Sequence, residues 1–184
     1  MIYLLGGASR TGKTTIARAF LAETGIPFFN PDFLMMGFVN GLPAYGVDSE
    51  ADELRVAEQP GPVVRSMVAA MVEEEIDYLV EGVQNHPRCA GELQAELADY
   101  VRICFIGMAE VDTRTKFQEI RRYGGGTDDW MHHYPDERVL QEVERLKGLS
   151  LRLRDACAQY GLKYIEASNN LTSTIAAVIG YFLE

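Results

Sequence analysis

The stretch GGASRTGKTT, Gly6 to Thr15, restricts what this chain can fold into more than any other. Within it Gly7, Gly12, Lys13 and Thr14 keep the spacing G-x-x-x-x-G-K-[ST], the phosphate-binding loop or Walker A pattern. The apolar run before it, Ile2 to Leu5, is short enough for a buried strand, and Thr15 to Thr24 reads as a helix. Strand, glycine-rich turn and helix is the context the pattern requires. Glycine lets the backbone turn tightly and approach a ligand without a Cβ in the way. Amides along the loop can then surround a phosphate, and the following helix adds the positive end of its dipole. Gly7, Ala8, Ser9, Arg10, Thr11, Gly12, Lys13, Thr14 and Thr15 are the candidate nucleotide-binding residues. Lys13 is expected on the β- and γ-phosphates, and the Thr14 hydroxyl on Mg²⁺.

Beyond the loop, strands and helices alternate. Strands are expected at Ile26–Phe29, Asp77–Val83, Tyr100–Ile106 and Lys163–Glu166. Helical spacing of apolar residues predicts helices over Gly61–Glu75, Glu92–Asp99, Glu110–Tyr123, Pro135–Tyr160 and Leu171–Leu183. No repeat or linker interrupts the order. Five strands alternating with helices imply one α/β domain, residues 1–184, with a parallel sheet covered on both faces. Residues 33–60 are less regular: Gly37, Gly41, Pro43 and Gly46 are expected to break any long helix, and Asp48–Glu58 reads as helical. Its methionines and aromatics suit either an adaptable cover on the substrate side or a loop-rich piece of core.

Two acids fall at strand ends, where open α/β sheets bind ligands. Asp32 follows the second strand. It is placed to take a proton from an acceptor hydroxyl or to hold a water on Mg²⁺, or else to cap a helix starting at Phe33. Glu81 ends the third strand, where it can act on a metal-bound water, contact an acceptor or face solvent. Arg88, on the loop beyond, is a candidate anion contact, and His86 is read as an ordinary loop histidine. Arg114, Lys116, Arg121 and Arg122 form the one dense basic cluster, next to Gly124-Gly125-Gly126. A hinge beside arginines suits a lid over 114–134 that closes on transferring charge, although cations also suit a helix C-terminus. His132 and His133 lack the partners of a metal site.

The net charge of −10 disfavours nucleic acid as a partner. With a strand opening at Ile2 no leader peptide is expected, and Ile175–Leu183 is too short to span a membrane. Cys89, Cys104 and Cys157 are odd in number and far apart, as in a reduced, cytoplasmic protein.

These residues together resemble the small-molecule kinases of the phosphate-loop superfamily, the group of nucleoside monophosphate, shikimate and gluconate kinases. The resemblance rests on GGASRTGKTT, Pro31-Asp32, VEGV at 80–83, the arginines of 114–122, and KYIEASNNL at 163–171, which is similar to the family's last strand and adenine-side loop. GGASRTGKTT and VEGV are also similar to adenylate-kinase-related and 2-phosphoglycerate-kinase-like chains. The resemblance implies a three-layer α/β/α fold with strand order 2-3-1-4-5, ATP with Mg²⁺, and a mobile lid. It makes Gly7, Gly12, Lys13 and Thr14 the nucleotide site, Asp32 the acceptor base or Mg²⁺ partner, and Arg121 or Arg122 the lid arginine. Between residues 30 and 100 the basic residues are Arg55, Arg65 and Arg88 alone, fewer than a phosphorylated acceptor needs. The expected activity is therefore ATP-dependent phosphoryl transfer to a neutral or singly anionic small-molecule hydroxyl, by a monomer or homodimer. The competing readings are a nucleotide-binding switch with slow hydrolysis and a nucleoside monophosphate kinase.

Overall fold

The computed structural model describes residues 1–48, 56, 58–83, 85–123 and 131–184. Five parallel strands form one sheet in the order β2-β3-β1-β4-β5. The strands are β1 (Ile2–Gly7), β2 (Phe28–Phe29), β3 (Tyr78–Glu81), β4 (Val101–Gly107) and β5 (Lys163–Glu166). Among the described residues the α-helices are α1 (Lys13–Thr24), α2 (Pro31–Gly41), α3 (Gly61–Glu73), α4 (Pro87–Glu96), α5 (Thr113–Tyr123), α6 (Asp136–Tyr160) and α7 (Leu171–Leu183).

The period of two along β1 sorts its side chains between two cores. Ile2 and Leu4 join Ile103 and Phe105 under α3, α4 and α6, which contribute Val64, Val68, Leu93, Val143 and Leu146. Tyr3 and Leu5 point the other way, to Ile16 and Phe20 of α1 and Val178 and Phe182 of α7. Tyr3, Phe20 and Phe182 pack as an aromatic trio with centroids 4.9 to 5.7 Å apart. Each fully buried Leu, Ile or Phe contributes about 1.5–3 kcal/mol of transfer free energy, so both helical layers are firmly held to the sheet. Burial on both faces is why β1 and β4 read as continuous apolar runs.

Several boundaries differ from the sequence expectation, each for a local reason. The helix after the loop begins at Lys13 rather than Thr15, because Gly12 in the left-handed region (φ 92°) turns the chain into it. β2 shortens to Phe28–Phe29 on the sheet edge, since Pro27 has no N–H to give. Its carbonyl still accepts from the Leu79 amide at 2.9 Å. The predicted break at Gly37 does not occur, and α2 runs through it. Asn30 caps that helix and Pro31 opens it, which together with Leu34 against the core outweigh the roughly 1 kcal/mol cost of a helical glycine. Asn30, not Asp32, is therefore the cap. α4 starts at Pro87 instead of Glu92 because His86 Nδ1 accepts the Arg88 amide at 3.2 Å. The helix expected over Asp48–Glu58 lies mostly outside the described residues, as does the Gly124–Trp130 segment.

Candidate active site

At the carboxyl end of β1 the loop is closed by contacts that allow no side chain. A Cβ on Gly7, whose φ is 138°, would lie 2.0 Å from the Ile106 carbonyl oxygen. A Cβ on Gly12 would lie 2.6 Å from Leu171 Cδ1. The Thr11 hydroxyl donates to the Ala8 carbonyl at 2.8 Å and braces the turn from inside. No side chain caps the N-terminus of α1, which leaves its first-turn amides available to an anion. Lys13 is buried, and its ammonium donates to the Gly7 and Ala8 carbonyls at 3.1 and 2.8 Å. The cation is thus held over the loop.

Thr14 connects this loop to the neighbouring strands. Its hydroxyl donates to Glu81 Oε1 at 3.0 Å, and the Asn30 side-chain amide donates to the same oxygen at 3.3 Å. Glu81 is 1% exposed, so its position at the end of β3 faces the site and not solvent. Burial raises the Glu81 pKa, the nearby Lys13 and the Thr14 hydrogen bond oppose that rise, and the Asp32 charge adds to it. Asp32 sits in the first turn of α2, its amide bound by Asn30 Oδ1 at 2.7 Å. Asp32 Oδ1 and Glu81 Oε2 are both buried and find no hydrogen-bond partner among the described residues. Asn85 closes the floor by donating to the Leu5 and Val80 carbonyls at 3.2 and 3.0 Å, which pins the ends of β1 and β3 together.

A cavity of about 470 Å³ opens on the other side of the loop. Arg10, Gly12 and Thr15 line it from the loop and α1, Lys116 and Tyr123 from α5, and Ser168 to Leu171 from the turn after β5. Arg10 has a left-handed backbone (φ 64°), and burial lowers the pKa of its guanidinium. The volume suits a nucleoside-sized group next to the loop.

The structure gathers Lys13, Thr14, Asp32 and Glu81, and it shows each predicted arginine with a partner of its own. Arg88 is half-exposed and pairs with Glu58 and Glu92. Arg121 joins α5 to the start of α6, through Asp136 Oδ1 at 2.7 Å and the Tyr134 carbonyl at 2.6 Å. Arg122 lies over the Tyr123 ring, 5.2 Å from its centroid. The triple glycine proposed as a lid hinge lies outside the described residues. Sequence reading missed Asn30 as a site residue. The signal that could have found it is the pair Asn30-Pro31, a cap followed by proline at a helix start.

A family model for chloramphenicol phosphotransferase-like proteins matches residues 1–108, from β1 to just past β4. The chain belongs to that family. No curated protein matches it significantly. Among solved structures, a shikimate kinase from Bacteroides thetaiotaomicron is 16% identical with a TM-score of 0.58, covering 99% of this chain and 96% of that one. A gluconokinase from Sinorhizobium meliloti 1021 is 13% identical with a TM-score of 0.56, covering 98% and 90%. At such identities the likeness is one of fold. Fold and family are those of the phosphate-loop small-molecule kinases. Among the described residues no helix is long and apolar enough to cross a membrane.

Proposed function

We propose that the protein is a cytoplasmic, single-domain kinase that transfers the γ-phosphoryl group of ATP, with Mg²⁺, to the hydroxyl of a small acceptor. The observation that supports this best is the convergence of Lys13, Thr14, Glu81 and Asp32 beside the uncapped start of α1. The uncapped amides and the glycine-closed loop fit a phosphate chain. The Thr14 hydroxyl with the two orphan carboxylate oxygens of Asp32 and Glu81 makes a hard, all-oxygen donor set that fits Mg²⁺.

Bound Mg·ATP supplies the transferable group and the cation that screens it. Lys13 exchanges its two carbonyl partners for phosphate oxygens and neutralises charge as it spreads to them. Asp32 would receive the acceptor's hydroxyl proton while the acceptor oxygen bonds to the γ-phosphorus and the bond from that phosphorus to the departing ADP oxygen breaks. Glu81 holds Thr14 in place. The cavity beside Arg10 and Leu171 takes the nucleoside, residues 33–60 cover the acceptor, and 114–134 form the lid.

A neutral or singly anionic acceptor suits the site, because Arg65 and Arg88, the described basic residues between 30 and 100, are both engaged by glutamates. The family's name makes chloramphenicol a first acceptor to test. The experiment is ADP release from Mg·ATP with a panel of chloramphenicol, other hydroxylated antibiotics, nucleosides, their monophosphates, sugars and sugar acids. A strong rise with a neutral or singly anionic alcohol is expected. A flat panel over slow basal hydrolysis favours a nucleotide switch, and a rise only with nucleoside monophosphates overturns this reading of the acceptor.

A further inference from the structure

Asn30 makes two side-chain hydrogen bonds in opposite directions. Its Oδ1 accepts the Asp32 amide at 2.7 Å and caps α2, while its Nδ2 donates to Glu81 Oε1 at 3.3 Å. The same carboxylate oxygen accepts from Thr14 of the phosphate loop at 3.0 Å. A continuous chain therefore runs from Thr14 through Glu81 and Asn30 to the backbone of Asp32. Packing at the start of α2 is thin: Pro31 is its one buried residue, Leu34 meets the core only in part, and Phe33 beside the acid is 75% exposed.

We propose that Asn30 is a positioning residue that holds the acceptor-side carboxylate of Asp32 in register with the phosphate loop by tethering α2 to Glu81. The inference rests on the phosphoryl-transfer reading of the site. Placement matters because a shift of about 1 Å in a reacting group is enough to cost on the order of a hundredfold in rate. Glu81 suits the task. It is buried at the end of a central strand, and it touches both sides of the site through one oxygen. A plain helix cap needs only Oδ1, so the second bond is what separates positioning from capping.

Two substitutions divide these roles. Asn30→Ser keeps a side-chain oxygen that caps about as well as asparagine, but its hydroxyl is too short to reach Glu81. Asn30→Asp keeps both cap and reach, and replaces the donor by a second acid against Glu81. Four measurements are made for each: steady-state kcat and KM, the Kd of a non-hydrolysable ATP analogue with Mg²⁺ by calorimetry, the melting temperature, and amide hydrogen exchange in the first turn of α2. Asn30→Ser is expected to lower kcat about tenfold to a hundredfold. It should leave the nucleotide Kd and the melting temperature nearly unchanged and speed exchange at the start of α2. Asn30→Asp should lower kcat further. If Asn30→Ser matches the wild type in exchange or in kcat, the residue is only a cap and the proposal fails. If the wild type phosphorylates no acceptor, the kinase reading fails and the catalytic half of the proposal goes with it. The exchange rates then still decide whether the tether to Glu81 exists.

Discussion

At the phosphate-loop end every residue of β1 is buried and the glycines are shut in by Ile106 and Leu171, whereas at the acceptor end Phe33, Met36, Leu42 and Tyr45 stand exposed. The first region is held by packing on two cores. The second is held by the cap, the tether, Leu34 partly buried against the core, the stacking of Phe38 on Tyr45 at 4.4 Å and the hydrogen bonds between Gln59 and Asp48. The difference matches the division of labour in the proposed reaction. Gripping a phosphate chain asks for one fixed geometry, which close packing supplies. Meeting a particular acceptor asks for exposed apolar surface that becomes covered when the ligand arrives. In the proposed reaction the rigid end would set the chemistry and the loose end the partner.

The largest expected effect lies at the rigid end. Lys13→Ala removes the cation held over the loop and should lower kcat about 10²–10³-fold, with a smaller change in acceptor KM. Steady-state kinetics check it, and unchanged kcat would remove Lys13 from the mechanism. Asp32→Asn tests the junction of the two ends. It should cost roughly a hundredfold in kcat, the low end for a general base, because phosphoryl transfer leans more on positioning than on proton transfer. Nucleotide affinity should fall less than kcat, since the asparagine keeps an oxygen for the metal but can no longer take the acceptor's proton. A matched fall in affinity would make Asp32 chiefly a metal ligand.

A single type of substitution should give opposite signs at the two ends. Gly7→Ala places a methyl group 2.0 Å from a backbone oxygen at a φ of 138°, and neither can yield cheaply. It should destabilise the protein by about 1–3 kcal/mol or more. Gly37→Ala falls in the interior of α2 with nothing within 4 Å of the new methyl. It should stabilise by roughly 0.5–1 kcal/mol through helix propensity and a less flexible unfolded chain. Urea titrations of the two variants decide the matter, and equal shifts would erase the contrast between tight loop and open helix.

The same contrast explains what the sequence made legible. GGASRTGKTT is a contiguous motif whose geometry is local, and the strand order follows from the alternation of apolar runs, so the nucleotide side and the sheet were readable at once. Glu81 was placed at a strand end, but its burial could not be seen, because a lone acid in a sequence does not show what packs over it. Asn30 was missed because its importance lies in a bond to Glu81, 51 residues away. The arginines show the same limit from the other side. Arg88 and Arg121 read as anion contacts from their charge and position, yet acids distant in sequence, Glu58 and Asp136, engage them. Long-range pairing leaves no periodic signal. The predicted break at Gly37 came from weighing a single glycine above its cap and apolar neighbours.

The smallest effect expected on the fold tests the loose end directly. Phe33 is 75% exposed beside Asp32, so folding gains little from its ring. Phe33→Ser should change stability by no more than about 0.5 kcal/mol, as for other exposed positions. That is roughly 1–2 °C in Tm for a chain of this size. If the segment covers the acceptor, the ring is buried only in the complex. Burying an exposed phenylalanine gives about 1.5–3 kcal/mol, so its loss should raise the acceptor KM by about tenfold or more while the ATP KM stays put. Thermal melting and a two-substrate kinetic matrix read both quantities from one preparation. A lower Tm with an unchanged acceptor KM would turn the comparison round: the exposed face of α2 would then serve the fold, and the partner would be chosen elsewhere.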